Sequence, residues 1–296
     1  MNGSLSGPLD DVAGDAGYVD HPPRVGFFTD TSVCIGCKAC EVACKQWNGV
    51  PSGEPLDLLG MSFDNTGALG ANAWRHVAFI EQPRPAPVDL GMPSMELPGA
   101  GSGAETRTDF RWLMMSDVCK HCTHAGCLDV CPTGALFRTE FGTVVVQQDI
   151  CNGCGYCVSA CPYGVIDLRK EDGRAFKCTL CYDRLKDGQT PACAKACPTD
   201  SIQFGELDEL RERAAARVET LHERGVESAR LYGADPDDGV GGAGAFFLLL
   251  DEPEVYGLPP DPVVPTRDMP RMWRFVGAAA GAFLAAAIGS FLGRGR

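Results

Sequence analysis

The rest of this chain is organised around one run of sequence, Cys151-Asn-Gly-Cys154-Gly-Tyr-Cys157-Val-Ser-Ala-Cys161-Pro162. Three cysteines are spaced two residues apart, and a fourth follows after three residues with a proline behind it. This spacing holds 4Fe–4S clusters through thiolates, and the fourth cysteine reaches a different cluster from the first three. The proline stops the helical turn before it, because proline lacks a backbone N–H and has a fixed φ. The run therefore predicts half of a two-cluster unit.

All 16 cysteines of the 296-residue chain fall into four groups of four. We predict that every one of them is an iron ligand and that together they hold four 4Fe–4S clusters. The groups are Cys34, Cys37, Cys40 and Cys44; Cys119, Cys122, Cys127 and Cys131; Cys151, Cys154, Cys157 and Cys161; and Cys178, Cys181, Cys193 and Cys197.

Two other uses of so many cysteines compete with this prediction. A disulfide framework suits short secreted chains, and cysteines in closely spaced triplets cannot all reach partners at disulfide geometry. Zinc ribbons use two separated cysteine pairs, and the last group taken alone fits that pattern. The C-x2-C-x2-C-x3-C-P run is not a zinc spacing, so the four groups together favour iron–sulfur clusters.

The formal net charge of −13 argues against nucleic acid as a partner, because phosphate binding requires a basic surface. Basic residues nevertheless gather near the cysteines. Cations there would stabilise an anionic tetrathiolate cluster and raise its reduction potential, although a solvated basic face explains the pattern equally well. The residues are Lys38, Lys45, Lys120, Arg169, Lys170, Lys177, Arg184 and Lys195.

The first 24 residues are rich in Gly, Asp, Ser and Pro, and we predict a disordered tail. They contain neither a basic n-region followed by an apolar core nor a twin arginine. We therefore expect no cleaved export signal, so that any passage across a membrane would depend on a partner's signal.

The surroundings of the cysteine groups repeat along the chain. Arg24–Cys34 and Thr143–Cys151 each predict a strand that runs into a cluster loop. Three groups end in Cys-Pro and continue through a turn into a strand, which is the β-loop-helix half of a two-cluster ferredoxin fold. Four halves make two modules. The first group continues past Cys44 without a proline, so its exit must differ.

Other segments carry weaker signals. Trp74–Glu81 and Asp109–Met115 predict two strands of a hairpin, joined by the Pro/Gly-rich span Pro83–Thr108 as a flexible or partner-contacting loop. Glu206–Arg224 predicts a helix with one apolar face, and Ala245–Leu250 predicts a short buried strand before a Pro-rich connector.

Phe275–Leu292 runs for eighteen residues without a charge, and arginines and a tryptophan flank it. At about 1.5 Å per residue it spans ~27 Å, close to the hydrocarbon thickness of a bilayer. We predict a single-pass C-terminal membrane anchor; a buried core helix is the alternative. Small residues recur every four positions and would let another membrane helix pack closely. They are Gly277, Gly281, Ala285, Gly289 and Gly293.

The chain resembles the iron–sulfur β subunit of membrane-bound formate dehydrogenases. The resemblance lies in the first cysteine run through Trp47 and Asn48, in Lys177–Arg184, in Gly188–Cys193 and in the Gly239–Gly242 turn. It covers nearly everything after residue 24. The cysteine pattern alone is shared by β subunits of many molybdopterin oxidoreductases and some hydrogenases. The flanking Trp-Asn, the Gly-Val-Gly-Gly turn and the terminal helix narrow the choice.

The resemblance implies a nested pairing of the groups, the first with the last and the second with the third. Spacing alone leaves open which groups pair. The implied ligand sets are Cys34, Cys37, Cys40 and Cys197 (set A); Cys44, Cys178, Cys181 and Cys193 (set B); Cys119, Cys122, Cys127 and Cys161 (set C); and Cys131, Cys151, Cys154 and Cys157 (set D).

The paired cysteine groups predict an α+β fold with two ferredoxin-like modules. The apolar terminal segment adds a C-terminal transmembrane helix. We expect a first module at 25–50 with 171–205, a hairpin and insertion at 51–108, and a second module at 109–170. A helix and connector at 206–270 and an anchor at 271–296 would follow the tail at 1–24. All ligands are cysteines, so no three-iron site is expected.

The resemblance implies an electron-transfer subunit. It would carry electrons from formate oxidation at a molybdenum or tungsten pterin subunit to a membrane cytochrome b and quinone, with the cluster domain on the extracytoplasmic side. The chain shows no nucleotide-binding fingerprint or nucleophile constellation of its own. A hydrogenase, a sulfur or S-oxide reductase, or a soluble polyferredoxin are the alternatives. His121 and His124 could tune a cluster, but we expect surface histidines that fill a loop.

Overall fold

The computed structural model describes residue 9 and residues 11–51, 63–83 and 110–293. The chain contains both helices and strands, which confirms the predicted α+β class. The elements are β1 (Val25–Asp30), α1 (Ala39–Asn48), β2 (Arg75–Pro83), β3 (Phe110–Val118), α2 (Gly126–Asp129), β4 (Leu136–Arg138), β5 (Val144–Val146), α3 (Tyr156–Ala160), β6 (Asp167–Leu168), β7 (Ala175–Phe176), α4 (Tyr182–Lys186), α5 (Ala192–Lys195), β8 (Ile202–Glu206), α6 (Leu207–Glu223), β9 (Arg230–Tyr232), β10 (Ala245–Leu249) and α7 (Met269–Gly293).

The largest sheet has the strand order β8-β1-β10-β9. Strand β1 pairs antiparallel with β8, from Val25 opposite Glu206 to Thr29 opposite Ile202, and parallel with β10. Strand β1 leads into the first cysteine group, and β8 follows the last one. The sheet therefore makes the first and last groups neighbours, although more than 130 residues separate them, as the nested arrangement requires.

Both faces of this sheet are covered, and the alternation of side chains along β1 assigns each residue to a face. Phe28 stacks on Phe246 at a ring separation of 5.4 Å, on the face that packs against α6. Phe27 and Phe247 belong to the opposite core, which also contains buried cysteines. The sheet thus separates an ordinary apolar core from the cysteine-bearing loops.

Helix α6 forms where its apolar periodicity predicts it, and Glu206 and Arg224 lie at its two caps. Leu207, Leu210 and Ala214 of the predicted apolar face are buried against the sheet. The helix therefore holds the sheet from the side away from the cysteines.

The predicted hairpin is present and longer than expected. Strands β2 and β3 pair antiparallel from Arg75 opposite Val118 to Pro83 opposite Phe110, and Val77 and Met115 reach the main core. The predicted Pro/Gly-rich loop between them lies, from residue 84 to 109, outside the described residues. Further along the chain, β4 pairs with β5 and β6 with β7, around a smaller core that contains Leu136, Val144 and Ile166.

Two expectations about chain segments need correction. Residues 11–24 are not a disordered tail: they form hydrogen-bonded turns, Val12 and Ala13 are buried, and the Tyr18 hydroxyl donates to the Arg138 carbonyl at 3.1 Å. The predicted helix and connector at 206–270 also supplies β9 to the large sheet, beside β10, which is the short buried strand predicted at Ala245–Leu250. In both cases long-range contacts fix segments that have little local pattern.

Helix α7 has the properties of a membrane span. Within the described residues it is the one helix long and apolar enough to cross a bilayer, over Arg271–Leu292 with a mean hydropathy of 2.0. None of this span is buried inside the structure, so the alternative of a core helix does not apply. The predicted single apolar C-terminal helix is confirmed.

The connector before α7 is fastened to the second module. Val264 and Thr266 are buried, and the Thr266 hydroxyl donates to Asp129 Oδ2 at 2.5 Å. Asp129 ends α2, the helix that contains Cys127 and precedes Cys131. The apolar helix therefore starts beside the second module.

The packing of α6 can be tested by truncating Leu210. We expect Leu210→Ala to lower the free energy of unfolding by about 2–5 kcal/mol, because the substitution leaves a cavity in a fully packed interface. Anaerobic denaturant unfolding of the cluster-loaded chain, followed by circular dichroism, measures the change. Glu219→Ala, at an exposed position of the same helix, is the control and should change stability by less than about 0.5 kcal/mol. Equal effects would contradict this packing role.

Candidate iron–sulfur site

One internal cavity of the second module is lined by the four cysteines of set C. Cys119 and Cys122 come from the loop between β3 and α2, Cys127 lies in α2, and Cys161 caps the C-terminus of α3. The cavity brings together residues of the second and third groups, as the nested pairing implies.

A second cavity of the same module is lined by the four cysteines of set D. Cys131 comes from the second group and the other three from the opening run. The backbone N–H of Ala175, in β7, donates to the Cys151 sulfur at 3.4 Å. The two cavities thus share their cysteines crosswise, because each group gives its last cysteine to the other cavity.

The first and last groups also meet. Burial raises the pKa of the Cys44 thiol to about 12, and the neighbouring Cys193 and Cys181 add to this effect. Cys34 lies close to Cys197. Cys40 also lies close to Cys193, so sets A and B adjoin each other.

The donor chemistry fits iron–sulfur clusters. All sixteen thiols are free, and within the described residues no group of His, Cys, Asp or Glu converges on a single metal ion. The thiols of sets C and D line cavities instead. Burial raises the pKa of Cys127 to about 12, so an isolated thiol there would stay protonated at neutral pH. Ligation of iron is what makes such buried sulfurs thiolates.

Comparison with known proteins identifies the family. Two family models described as "4Fe-4S dicluster domain" match residues 33–135 and 110–207. The formate dehydrogenase iron–sulfur subunit of Haemophilus influenzae is 41% identical over 83% of this chain and 72% of that protein. The nitrate-inducible formate dehydrogenase iron–sulfur subunit of Escherichia coli is 40% identical over 83% of this chain and 76% of that protein. The chain belongs to the family of formate dehydrogenase iron–sulfur subunits.

Membership confirms four 4Fe–4S clusters as the cofactors and an electron-transfer role without a catalytic site of its own. A subunit of the anaerobic dimethyl sulfoxide reductase of E. coli is also similar, with 34% identity over 64% of this chain and 77% of that protein. The two matched regions overlap between residues 110 and 135, so they do not assign individual cysteines to clusters.

Arg75 of the iron–sulfur subunit is a site residue that sequence reasoning missed. Its guanidinium is buried, donates to the Cys193 sulfur at 3.2 Å and to the Ser116 carbonyl at 3.1 Å, and lies over the Phe27 ring. The Ser116 hydroxyl in turn lies 3.2 Å from the Cys40 sulfur. Burial alone would lower the pKa of Arg75, but the nearby cysteines raise it. Arg75 therefore connects sets A and B.

Lys177 is a second buried cation, and it lies between the two modules. The side chain is buried, and its ammonium donates to the carbonyls of Val144 and Cys178. Burial acts to lower its pKa, but the thiolates of Cys119, Cys127 and Cys178 outweigh burial and raise it. Lys177 thus lies at the junction of sets B and C.

The predicted basic residues differ in burial, and Lys38, Lys45 and Arg169 are partly buried. Lys120, Lys177 and Arg184 are buried, and Lys120 lies 5.0 Å from the centre of the Phe247 ring. Lys170 and Lys195 are exposed. Nearby cysteines act on the pKa of Lys177, which supports the cluster-stabilising role there, whereas Arg184 stacks on Trp47 and the exposed lysines are solvated.

The Trp-Asn flank of the first group contacts the last group. The Asn48 amide lies 3.7 Å from the Cys44 sulfur and 3.8 Å from the Cys181 sulfur, two members of set B. The Trp47 indole N–H donates to Asp183 at 2.7 Å, and the Arg184 guanidinium stacks on its ring. The flank that marks the family thus holds two cysteine groups together.

The Gly-Val-Gly-Gly turn supports the loop of the second group. The Val240 carbonyl accepts from the His124 N–H at 2.8 Å, and the Gly242 carbonyl accepts from the Thr123 N–H at 3.0 Å. A Cβ at Gly241, where φ is +72°, would lie 2.4 Å from the His124 ring. The turn requires glycine because the loop packs directly on its backbone.

The expectation that His121 is a surface residue is wrong. Its side chain is 1% exposed, because the residue lines the set C cavity behind the loop. Burial, with Lys177 and Arg24 nearby, lowers its pKa well below the ordinary value. His124 is half-buried and does not line the cavity. The sequence signal common to both residues, a histidine inside a cysteine group, did not distinguish them.

The role of Arg75 can be tested with Arg75→Met, which keeps the bulk and removes the charge. Breaking a buried ion pair from one side costs about 3–5 kcal/mol, so we expect this loss of stability. The two clusters of the first module should also have lower midpoint potentials, because a buried cation favours the reduced form. Unfolding experiments and EPR-monitored redox titration measure both effects.

Arg75→Lys should restore part of the potential but less of the stability, since an ammonium lacks the guanidinium fork. Arg213→Met, at an exposed position, is the control. Wild-type stability and potentials in Arg75→Met would mean that the arginine only fills space.

Proposed function

We propose that the chain accepts electrons released when a molybdenum or tungsten pterin subunit oxidises formate, HCOO⁻ → CO2 + H⁺ + 2 e⁻. The chain would deliver them to a membrane cytochrome b, which reduces quinone with two electrons and two protons. The observation that carries the proposal is the arrangement of four cysteine sets between an exposed surface and an apolar terminal helix. The clusters supply one-electron redox chemistry when bound.

The order of the sets supports a single path. Of the sixteen cysteines, all within the described residues, only Cys37 of set A and Cys154 of set D are exposed. Sets A and B adjoin at Cys40 and Cys193. Sets B and C adjoin where Cys178 approaches Cys119. Sets C and D adjoin because the second and third cysteine groups exchange their last cysteines. The chain would therefore hold its clusters in the order A, B, C, D.

The position of the terminal helix supports a direction. The connector to α7 is fastened at Asp129, beside the second module, so sets C and D are the ones nearer the start of the apolar helix. Electrons would enter at set A and leave from the second module toward the membrane. The extracytoplasmic side of the cluster domain is part of this proposal on resemblance alone.

The two ends offer surfaces for the partners. An open groove beside Cys37 is lined by Ile35, Phe63, Trp112 and Met114, and Ile35 and Phe63 are exposed. We assign this groove to the catalytic subunit. The small-residue positions of α7 would pack against a helix of the cytochrome subunit.

In a second candidate function the same four clusters carry electrons between different partner subunits. The similarity to the dimethyl sulfoxide reductase subunit favours a reductase complex, in which electrons would flow in the opposite direction. A hydrogenase complex has the same requirements. A soluble polyferredoxin is less well supported, because a carrier in solution has no use for an exposed apolar helix.

The proposed function is tested by purifying the intact complex from membranes and assaying it with formate and a quinone analogue. We expect formate-dependent quinone reduction, and the chain should co-purify with a pterin subunit. Deletion of residues 271–296 should release the cluster domain from the membrane and abolish quinone reduction, while formate-dependent reduction of a soluble dye persists. Turnover with H2 or dimethyl sulfoxide but not with formate would replace the leading proposal by its alternatives.

The nested ligand sets are tested by pairing substitutions. Cys37→Ala and Cys197→Ala should each change the same one of four reduced-cluster EPR signals, because both cysteines belong to set A. The double variant should lose one cluster and keep about twelve of about sixteen iron atoms. Cys37→Ala with Cys161→Ala should change two signals. If Cys37→Ala and Cys197→Ala change different signals, the nested pairing is incorrect.

A further inference from the structure

The hydrogen bonds of His121 determine which ring nitrogen carries a proton. The backbone N–H of Val144 donates to His121 Nδ1 at 3.2 Å. A backbone N–H can only donate, so Nδ1 must be the unprotonated nitrogen. The imidazole then carries its proton on Nε2, which is a hydrogen-bond donor.

This donor has no acceptor within the part of the chain that the structure describes. Nε2 is buried and unpartnered, in a side chain that is 1% exposed. A buried donor without a partner is strongly unfavourable, and such groups in folded proteins point to a missing ligand or ion. Lys177, Arg24 and Arg138 lie near the ring but cannot accept a hydrogen bond from Nε2, because their charged groups are themselves donors.

The backbone fixes the position of the His121 ring, so Nε2 cannot reach another acceptor by moving away from the cavity. His121 has a φ of +45°, and its carbonyl accepts from Arg24 Nη2 at 3.0 Å and from the Gly244 N–H at 3.3 Å. Positive φ is uncommon outside glycine and is kept only where the surroundings impose it. The ring is therefore held against the Val144 N–H, and His121 lines the same cavity as the set C cysteines.

The set D cavity gives an internal comparison. Its lining beyond the cysteines consists of apolar and uncharged residues, and no histidine or lysine contributes to it. The set C cavity is lined by His121, Lys120 and Lys177. The two cavities of one module therefore differ in the donors that they offer to sulfur.

We propose that His121 donates its Nε2–H to a sulfur of the cluster held by set C and thereby raises the reduction potential of that cluster above that of its module partner. The inference rests on the ligand set in the proposed function. A hydrogen bond to sulfur stabilises the reduced cluster more, because that form carries the greater negative charge. His121 is thus a potential-tuning residue at the junction of the two modules.

The test compares His121→Leu, which removes the donor, with His121→Gln, whose amide can accept from Val144 and donate in place of Nε2. Iron and sulfide content come first, then EPR-monitored redox titration of the full-length chain in its complex. We expect wild-type iron content in both variants. In His121→Leu one of four clusters should be about tenfold less reduced at a fixed potential, a shift of about 59 mV for a one-electron couple. His121→Gln should restore most of it.

Pulsed EPR of the reduced wild-type complex, labelled with ¹⁵N in histidine, gives an independent readout. A weak ¹⁵N coupling to one cluster should be present, should disappear in His121→Leu, and should persist in the matched control His124→Gln. Wild-type potentials in His121→Leu, or the absence of a histidine coupling in the wild type, would overturn the proposal.

Failure of the underlying ligand assignment is distinguishable from failure of this inference. If set C does not hold a cluster, Cys122→Ala and Cys161→Ala will change different EPR signals, whatever His121 does. If His121→Leu loses iron through misfolding, the ¹⁵N coupling in the wild type still decides the question.

Discussion

The burial of negatively charged iron–thiolate centres is the constraint on which the rest of this structure depends. Thiolates removed from water need compensating positive charge and hydrogen-bond donors. Arg75 and Lys177 supply charge from buried positions, and the Asn48 amide, the Ser116 hydroxyl and backbone N–H groups supply donors. Burying polar groups such as these in an ordinary apolar core would be unfavourable. Here several of them have a cysteine sulfur as their partner.

The large sheet sets the positions of the cysteine loops relative to one another. Because β1 pairs with β8, the loops of the first and last cysteine groups lie side by side. The Phe28 face of the same sheet packs on α6, so a conventional apolar core carries the stability that cysteine loops cannot provide. The opposite face contributes Phe27 and Phe247, on which Arg75 and Lys120 rest.

The two modules are unequal in their surroundings, and this asymmetry bears on function. Buried cations lie between sets A and B and between sets B and C, whereas the set D cavity has uncharged walls. The terminal helix is fastened next to the second module by Thr266 and Asp129. The two ends of the proposed path therefore differ in position and in electrostatics.

The cofactor type, the number of clusters, the apolar terminal helix and the packing face of α6 could all be predicted from the amino-acid sequence. Each depends on residues close together in the chain: thiol spacings within a few residues and apolar periodicity within one helix. Spacing alone left open which group Cys161 joins. The tertiary structure brought it to the cavity of the second group, and it also placed Arg75 against Cys193, buried His121 and ordered residues 11–24. These features arise from contacts between segments far apart in sequence, often more than a hundred residues, where local pattern carries no information about partners.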